Sequence, residues 1–175
     1  MTIRAATEHD AEKVLSIYRP YIQNGAVSFE YKVPSVEEIQ GRIKKVTAKY
    51  PWLICETDGE IVGYAYASAF REREAYQWKA EVSVYVTDKV KGKGVAWSLY
   101  DELLDRLKAM GMVSAIAGMT VPNPETERFH EKYGFKRIAE FPKVGFKNGQ
   151  WHSVAFAELQ LNGYLDNPRT PWPAS

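Results

Sequence analysis

The stretch from Glu81 to Leu107 restricts the fold more than any other part of the chain. Val82, Val84 and Val86 alternate with Glu81, Ser83 and Tyr85, which is the period of a half-buried strand. Val95, Ala96, Leu99, Tyr100, Leu103, Leu104 and Leu107 then recur along one helical stripe. Between strand and helix lies a short loop with glycines at 92 and 94 and lysines at 91 and 93. A glycine-bearing loop that opens a helix leaves several backbone N–H groups unpaired at the positive end of the helix dipole. Such a loop suits an anion, usually phosphate. Without a ligand the same pattern is a solvated strand-to-helix turn with incidental glycines.

The elements around this core follow from local signals. Residues 2 to 5 form a short strand, and Thr7-Glu-His-Asp10 can cap a helix carrying Ala11, Val14, Leu15 and Tyr18, which Pro20 ends or bends. Ser35-Val-Glu-Glu38 is a capping box for a helix that carries Ile39, Ile43 and Val46 and stops before Pro51. Trp52 to Thr57 and Ile61 to Phe70 flank Asp58-Gly59, a hairpin signal because glycine accepts the positive φ of a tight turn. Asn148-Gly149 plays the same part between Ile138 to Lys147 and Trp151 to Leu161. Val113 to Met119 is a further strand, and Pro124 suits the first turn of a short helix ending at Tyr133-Gly134-Phe135. The order β-α-α-β-β-β-α-β-α-β-β predicts an α/β (α+β) domain with a mixed, strongly twisted sheet and helices on both faces. Residues 1–163 form that single domain, and residues 164–175 a proline-rich C-terminal tail.

A chain of 175 residues can bury one substantial core. Its formal charge of +1 gives no electrostatic reason to expect nucleic acid or an anionic membrane as partner. No apolar run approaches the roughly 20 residues that span a bilayer, and the first residues lack the apolar stretch of a signal peptide, so a cytoplasmic protein is expected. The single cysteine, Cys55, sits in an apolar run as a buried structural thiol, and with three scattered histidines it offers no metal-ligand spacing.

The element order and the segment Val84-Tyr-Val86 … Lys91-Gly-Lys-Gly-Val-Ala96 resemble the GCN5-related N-acetyltransferase (GNAT) superfamily. Its signature Gln/Arg-x-x-Gly-x-Gly/Ala stands here as Lys91-x-x-Gly94-x-Ala96, with lysine keeping the charge but losing arginine's bidentate fork. Asn123, His130 and Gly134-Phe135 follow at the spacing of the superfamily's later helix, with His130 where a tyrosine is usual. Tyr50-Pro-Trp-Leu53, Ala75-Tyr76, Ala80-Glu81 and Gly145-Phe-Lys-Asn-Gly-Gln-Trp-His152 are similar to the phosphinothricin and methionine sulfoximine acetyltransferases within it.

The resemblance implies acetyl-CoA as co-substrate, no metal, and transfer to the α-amine of a small amino-acid analogue in a ternary complex. It assigns the pantetheine edge to Val84, Tyr85 and Val86, the pyrophosphate cradle to Lys91, Gly92, Lys93, Gly94, Val95 and Ala96, and a coenzyme contact to Asn123. Glu81 becomes the base and His130 a second base, acid or hydrogen-bond donor. A backbone N–H near Val86 or Tyr85 would meet the oxyanion. Arg71, Arg73 and Tyr76 become substrate contacts, paired guanidinium groups suiting carboxylate, phosphinate or sulfone oxygens, and Phe29 a pocket aromatic. The alternatives stay open: Arg-Glu-Arg-Glu is equally a surface loop of solvated ion pairs, His130 a structural histidine and Phe29 a core residue. The acceptor is equally open to another amine, such as an aminoglycoside, a polyamine or a protein N-terminus, and the chain to a non-catalytic acyl-CoA-binding role. The resemblance also implies a homodimer, which the aromatic last strands and the Pro-Trp-Pro tail could serve.

Overall fold

A computed structural model describes residues 1–171. Its elements are β1 (Thr2–Ala5), α1 (Ala11–Gln23), α2 (Val36–Thr47), β2 (Trp52–Thr57), β3 (Glu60–Ala69), β4 (Lys79–Val86), α3 (Val95–Ala109), β5 (Ser114–Val121), α4 (Pro124–Tyr133), β6 (Lys136–Lys147) and β7 (Gln150–Gln160). The order is the expected one.

Local chemistry sets these boundaries. Ser35 and Glu38 close the capping box of α2, with the Ser35 N–H donating to Glu38 Oε2 at 2.6 Å. Asn123 caps α4 by accepting from the Thr126 N–H, and Pro124 takes its first position. The two hairpin turns place Asp58-Gly59 at φ 54° and 78° and Asn148-Gly149 at φ 52° and 76°. Pro20 does not end α1, which runs three residues beyond it. The bond it removes is the one to the Ser16 carbonyl, and both residues lie on the exposed side of the helix, where water can take that carbonyl.

The seven strands form one open sheet in the order β1-β2-β3-β4-β5-β7-β6. All neighbours are antiparallel except β4 and β5. On one face α3 and α4 pack through Val95, Leu99, Leu103, Leu107 and Phe129, with Phe135 just beyond α4, against Val82, Ala115 and Ala117. On the other, α1 and α2 pack through Val14, Leu15, Ile39 and Ile43 against Trp52, Ile54 and Tyr64. Cys55 lies in the first of these cores with no exposed surface, and burial pushes its thiol pKa up.

One irregularity organises the rest. The parallel β4–β5 pairing covers only Lys79–Glu81 against Ser114–Ile116, and beyond it the two strands part. Residues after β7 return to the molecule, where the Trp78 indole N–H donates to the Arg169 carbonyl at 2.9 Å. Of the Pro-Trp-Pro segment expected to serve a dimer, Trp172 and Pro173 lie outside the described residues.

Candidate active site

The fork between β4 and β5 opens into a groove of about 590 Å³, bounded by β4, the 90–97 turn, β5 and α4. The register fixes which backbone groups face it. The Thr87 N–H donates to the Val62 carbonyl, so Tyr64 and Tyr85 form the next hydrogen-bonded pair and the N–H and C=O of Val84 and Val86 point away from β3 into the gap. Of the three residues expected at the pantetheine edge, Val84 and Val86 have the right direction. Tyr85 does not: its backbone is spent on β3, and its ring lies among Tyr18, Tyr21 and Tyr64. The same parity removes Tyr85 as an oxyanion donor. Val86 is already engaged, since the Tyr21 hydroxyl donates to its carbonyl at 2.7 Å and accepts from its N–H at 3.4 Å.

At the outer end of the groove Gly94 stands at φ 82° as the residue before α3. That left-handed conformation turns the chain so that successive N–H groups converge on the groove. Among the described residues no backbone carbonyl accepts from the N–H groups of Gly92, Gly94, Val95, Ala96 or Trp97. Lys91 lines the groove and pairs with Asp88 at 2.8 Å, whereas Lys93 is exposed and outside the lining. Unpaired N–H groups at a helix start, a free strand edge and a long groove between them fit a diphosphate joined to a chain of amides. Asn123 borders the same groove while capping α4. Trp97, Phe129 and Lys132 also line it. Their only sequence signal is helical phase: Trp97 lies in the first turn of α3, and Phe129 and Lys132 lie one turn apart on α4.

Glu81 sits where β4 and β5 separate. Its Oε1 lies 3.5 Å from where a Cβ on Gly118 would stand, so glycine at 118 keeps the space beside the carboxylate. Burial pushes the Glu81 pKa up, and the nearby Arg71 charge pulls against it. No hydrogen bond or ion pair to the carboxylate occurs among the described residues.

His130 is the opposite case. It is 5% exposed. Its Nδ1–H donates to the Thr126 carbonyl at 2.8 Å, and Tyr100, whose hydroxyl is 3.1 Å from Nε2, donates to that nitrogen. Both ring nitrogens are therefore satisfied within the protein, and burial holds the pKa below its ordinary value. The ring borders the groove, yet it could take a proton from substrate only after losing Tyr100.

The arginine loop is partly assembled. Arg71 folds over the Phe70 ring at 4.5 Å and donates to the Phe70 carbonyl. Arg73 precedes a short 3-10 turn that carries Tyr76. Among the described residues no acidic group pairs with either arginine, so the Arg-Glu-Arg-Glu segment is not a set of surface ion pairs. Tyr76 faces a separate apolar cavity of about 180 Å³, shared with Trp78, Tyr164, Leu165 and Pro168, rather than the groove. Phe29 packs against Gly145 of β6 and 6.2 Å from the His152 ring. His152 donates to the Lys147 carbonyl, and His9 is exposed.

Comparison with known proteins agrees with this geometry. A family model described as "Acetyltransferase (GNAT) domain" matches residues 3–154. A phosphinothricin N-acetyltransferase of Streptomyces viridochromogenes is 34% identical over 154 residues, covering 88% of this chain and 84% of the relative. An L-methionine sulfoximine/L-methionine sulfone acetyltransferase of Salmonella typhimurium is 30% identical over 163 residues, covering 93% and 95%. The crystal structure of a GNAT superfamily phosphinothricin acetyltransferase from Sinorhizobium meliloti in complex with AcCoA superposes with a TM-score of 0.91 at 34% identity, covering 96% of this chain and 92% of that one. By its sequence over most of its length, and by the forked sheet that its groove requires, the chain belongs to the GNAT acetyltransferase family.

Proposed function

We propose that this chain transfers the acetyl group of acetyl-CoA to the α-amine of a small glutamate-like or methionine-like amino-acid analogue, of the phosphinothricin, methionine sulfoximine or methionine sulfone type. The observation that carries this reading is Glu81: a half-buried carboxylate without a partner among the described residues, beside Gly118 in the wall of a groove that also offers unpaired backbone N–H groups.

Amine acetylation needs a proton acceptor, because an alkylammonium is mostly protonated at neutral pH and only the free amine attacks. Glu81, with its pKa raised, is a better matched base than an ordinary glutamate and acts directly or through one water. The backbone of Val84 faces the gap unpaired by β3 and serves the pantetheine amides and the oxyanion, since the Val86 N–H is taken by the Tyr21 hydroxyl. Lys91 and the N–H groups of Gly92, Gly94, Val95 and Ala96 hold the pyrophosphate, with Lys93 adding only charge at its rim. Asn123 keeps α4 in place beside the coenzyme. Arg71 and Arg73 bind the acceptor's oxyanions. His130 orients Tyr100 rather than taking a proton. Direct transfer follows because the one thiol of the chain is buried with its pKa raised, which disfavours an acetyl-cysteine route.

We further propose residues 1–163 as one catalytic domain with residues 164–175 as a tail, a cytoplasmic setting in which acetyl-CoA is supplied, and a homodimer. The last rests on Ile138, Phe141, Val144, Phe146 and Trp151, each about half exposed on the β6–β7 hairpin at the sheet edge. Light scattering on the purified protein tests it.

The activity is tested by thiol release from acetyl-CoA with phosphinothricin, methionine sulfoximine and methionine sulfone as acceptors. Turnover with any of them is the expected result. No turnover, with release instead on an aminoglycoside, spermidine or a peptide N-terminus, overturns the acceptor assignment. No turnover with any amine, alongside tight acetyl-CoA binding, favours a binding module.

A further inference from the structure

The last turn of α1 and the chain that follows it toward α2 are tied to three strands of the sheet. Tyr21 holds Val86 of β4, the Thr120 hydroxyl of β5 donates to the Ala26 carbonyl at 2.7 Å, and Lys147 of β6 donates from Nζ to the Ile22 and Ser28 carbonyls, both at 2.7 Å. The last tie is unusual. Lys147 is 3% exposed, an ammonium taken out of water with no carboxylate in ion-pair contact among the described residues, although the charge of Glu30 acts on it from further off. Its acceptors explain its place. Ile22 lies in the last turn of α1, where carbonyls lack intrahelical partners and the dipole is negative, and that turn carries no basic residue of its own. Ser28 lies six residues further on, so one cation closes both ends of the 22–28 segment onto a single point.

What that segment presents is a wall of the site. Val27 lines the groove, and Phe29 lies two residues further along the chain, outside the groove's lining. Phe29 lies so close to Gly145 that a Cβ there would stand 2.2 Å from its Cε2, and Gly145 is two residues from Lys147 on the same strand. The tie through Lys147 and the seat of the Phe29 ring are therefore two parts of one contact between β6 and the strap.

We infer that Lys147 is a positioning residue for the acceptor: its buried ammonium pins residues 22–28 so that Val27 and Phe29 form the wall against which the amino-acid side chain lies. The inference rests on the acceptor reading proposed above. It separates Lys147 from the coenzyme, which is held by β4 and the start of α3.

The test is steady-state kinetics of Lys147→Met in the full chain, with acetyl-CoA affinity measured independently by calorimetry. The variant keeps the aliphatic stem and removes the charge. The expected result is a rise of about tenfold or more in acceptor KM, with acetyl-CoA Kd and saturating kcat each changed less than about threefold. Thr120→Val, which removes the second tie without charge, should move acceptor KM the same way by less, and it stands in if Lys147→Met does not fold. Equal rises in both substrates' constants, or a lowered Tm with acceptor KM unchanged, would overturn the inference. Wild-type protein that turns over none of the amino-acid analogues instead removes the acceptor reading beneath it, so the two failures are distinguishable.

Discussion

The β4–β5 fork and the corner where α3 meets α4 each hold one desolvated titratable side chain next to the same groove, Glu81 half-buried and His130 buried, and they treat it in opposite ways. At the corner, His130 has a donor and an acceptor for its two ring nitrogens, and its ring is packed edge-on by Tyr100, Phe129 and Phe135. At the fork, Glu81 loses hydration and receives no hydrogen bond in return. A satisfied buried group rigidifies its neighbourhood, whereas an unsatisfied one stores a demand that a ligand's proton can meet. Desolvation beside a groove is shared by both, so it is the open valence that separates the chemical residue from the structural one.

The largest effect that could break this contrast comes from Glu81→Gln. Loss of a general base lowers kcat by about 10²–10⁴-fold, and acetyl-CoA binding should persist. The same change should raise Tm. With its folded-state pKa above the ordinary 4.5, Glu81 destabilises the protein at neutral pH, where it is charged, and that penalty fades as pH falls below the folded value and is gone below 4.5. In the wild type kcat/KM should fall as pH drops through the folded value, giving an acid limb above the ordinary carboxylate range. A Gln variant with near-native kcat, or an acid limb at 4.5 or below, would return Glu81 to the structural class.

His130→Ala should read the other way. Removing the ring leaves a cavity and a buried Tyr100 hydroxyl without its acceptor, at a cost of roughly 2–4 kcal/mol in stability by denaturant unfolding. Saturating kcat should stay within about tenfold, below what a lost proton acceptor costs. The wild-type pH profile carries the matching sign. A histidine with a depressed folded-state pKa contributes stability that is full above its ordinary 6.5 and is lost as pH falls through the folded value. A hundredfold loss of kcat at preserved fold would make His130 chemical and erase the distinction.

Sequence alone makes the elements legible because their signals are local. The Ser35–Glu38 capping box, the Asn123 cap with Pro124, Asp58-Gly59 and Asn148-Gly149 each act within four residues, and the 2.0 and 3.6 periods mark strands and helices without long-range information. The phosphate-binding end of the groove is legible for the same reason, since a loop and the helix it opens are neighbours in the chain. What depends on parity or on distant backbone is not. Whether Tyr85 or its neighbours face the gap follows from the β3–β4 register, fixed by a bond between residues 62 and 87. Lys147 reaches carbonyls 125 and 119 residues away, and backbone acceptors leave no mark on side-chain identity. Tyr76 looks like a neighbour of Glu81 in sequence, but the short turn at Glu74–Tyr76 aims it elsewhere.

The groove's two ends extend the same contrast between fixed and free groups. Gly94→Ala should cost roughly 1–2 kcal/mol, because a Cβ is strained at φ 82°. It should also raise acetyl-CoA KM by about tenfold, because relief of that strain turns the N–H groups away. The space around Gly94 is open, with nothing within 4 Å of a built Cβ, so the penalty is conformational rather than steric. Gly94→Asn, which tolerates the left-handed region better, should recover part of both losses.

Lys91 should give the smallest effect, and its size is informative. Its ammonium pairs with Asp88 three residues earlier, with both side chains largely in water, so Lys91→Ala should leave stability within about 0.5 kcal/mol. Bound pyrophosphate would offer the same cation a stronger partner than Asp88, at the start of a helix already favourable to anions. Acetyl-CoA KM should therefore rise by roughly fivefold in low salt, and the ratio to wild type should shrink as ionic strength passes about 0.15 M, where charges beyond roughly 8 Å are screened. A salt-independent change would mean that Lys91 contributes by packing. No change at any salt would leave the pyrophosphate to the backbone N–H groups alone, with the lysine an unneeded charge at the rim, as Lys93 already is by its position outside the lining.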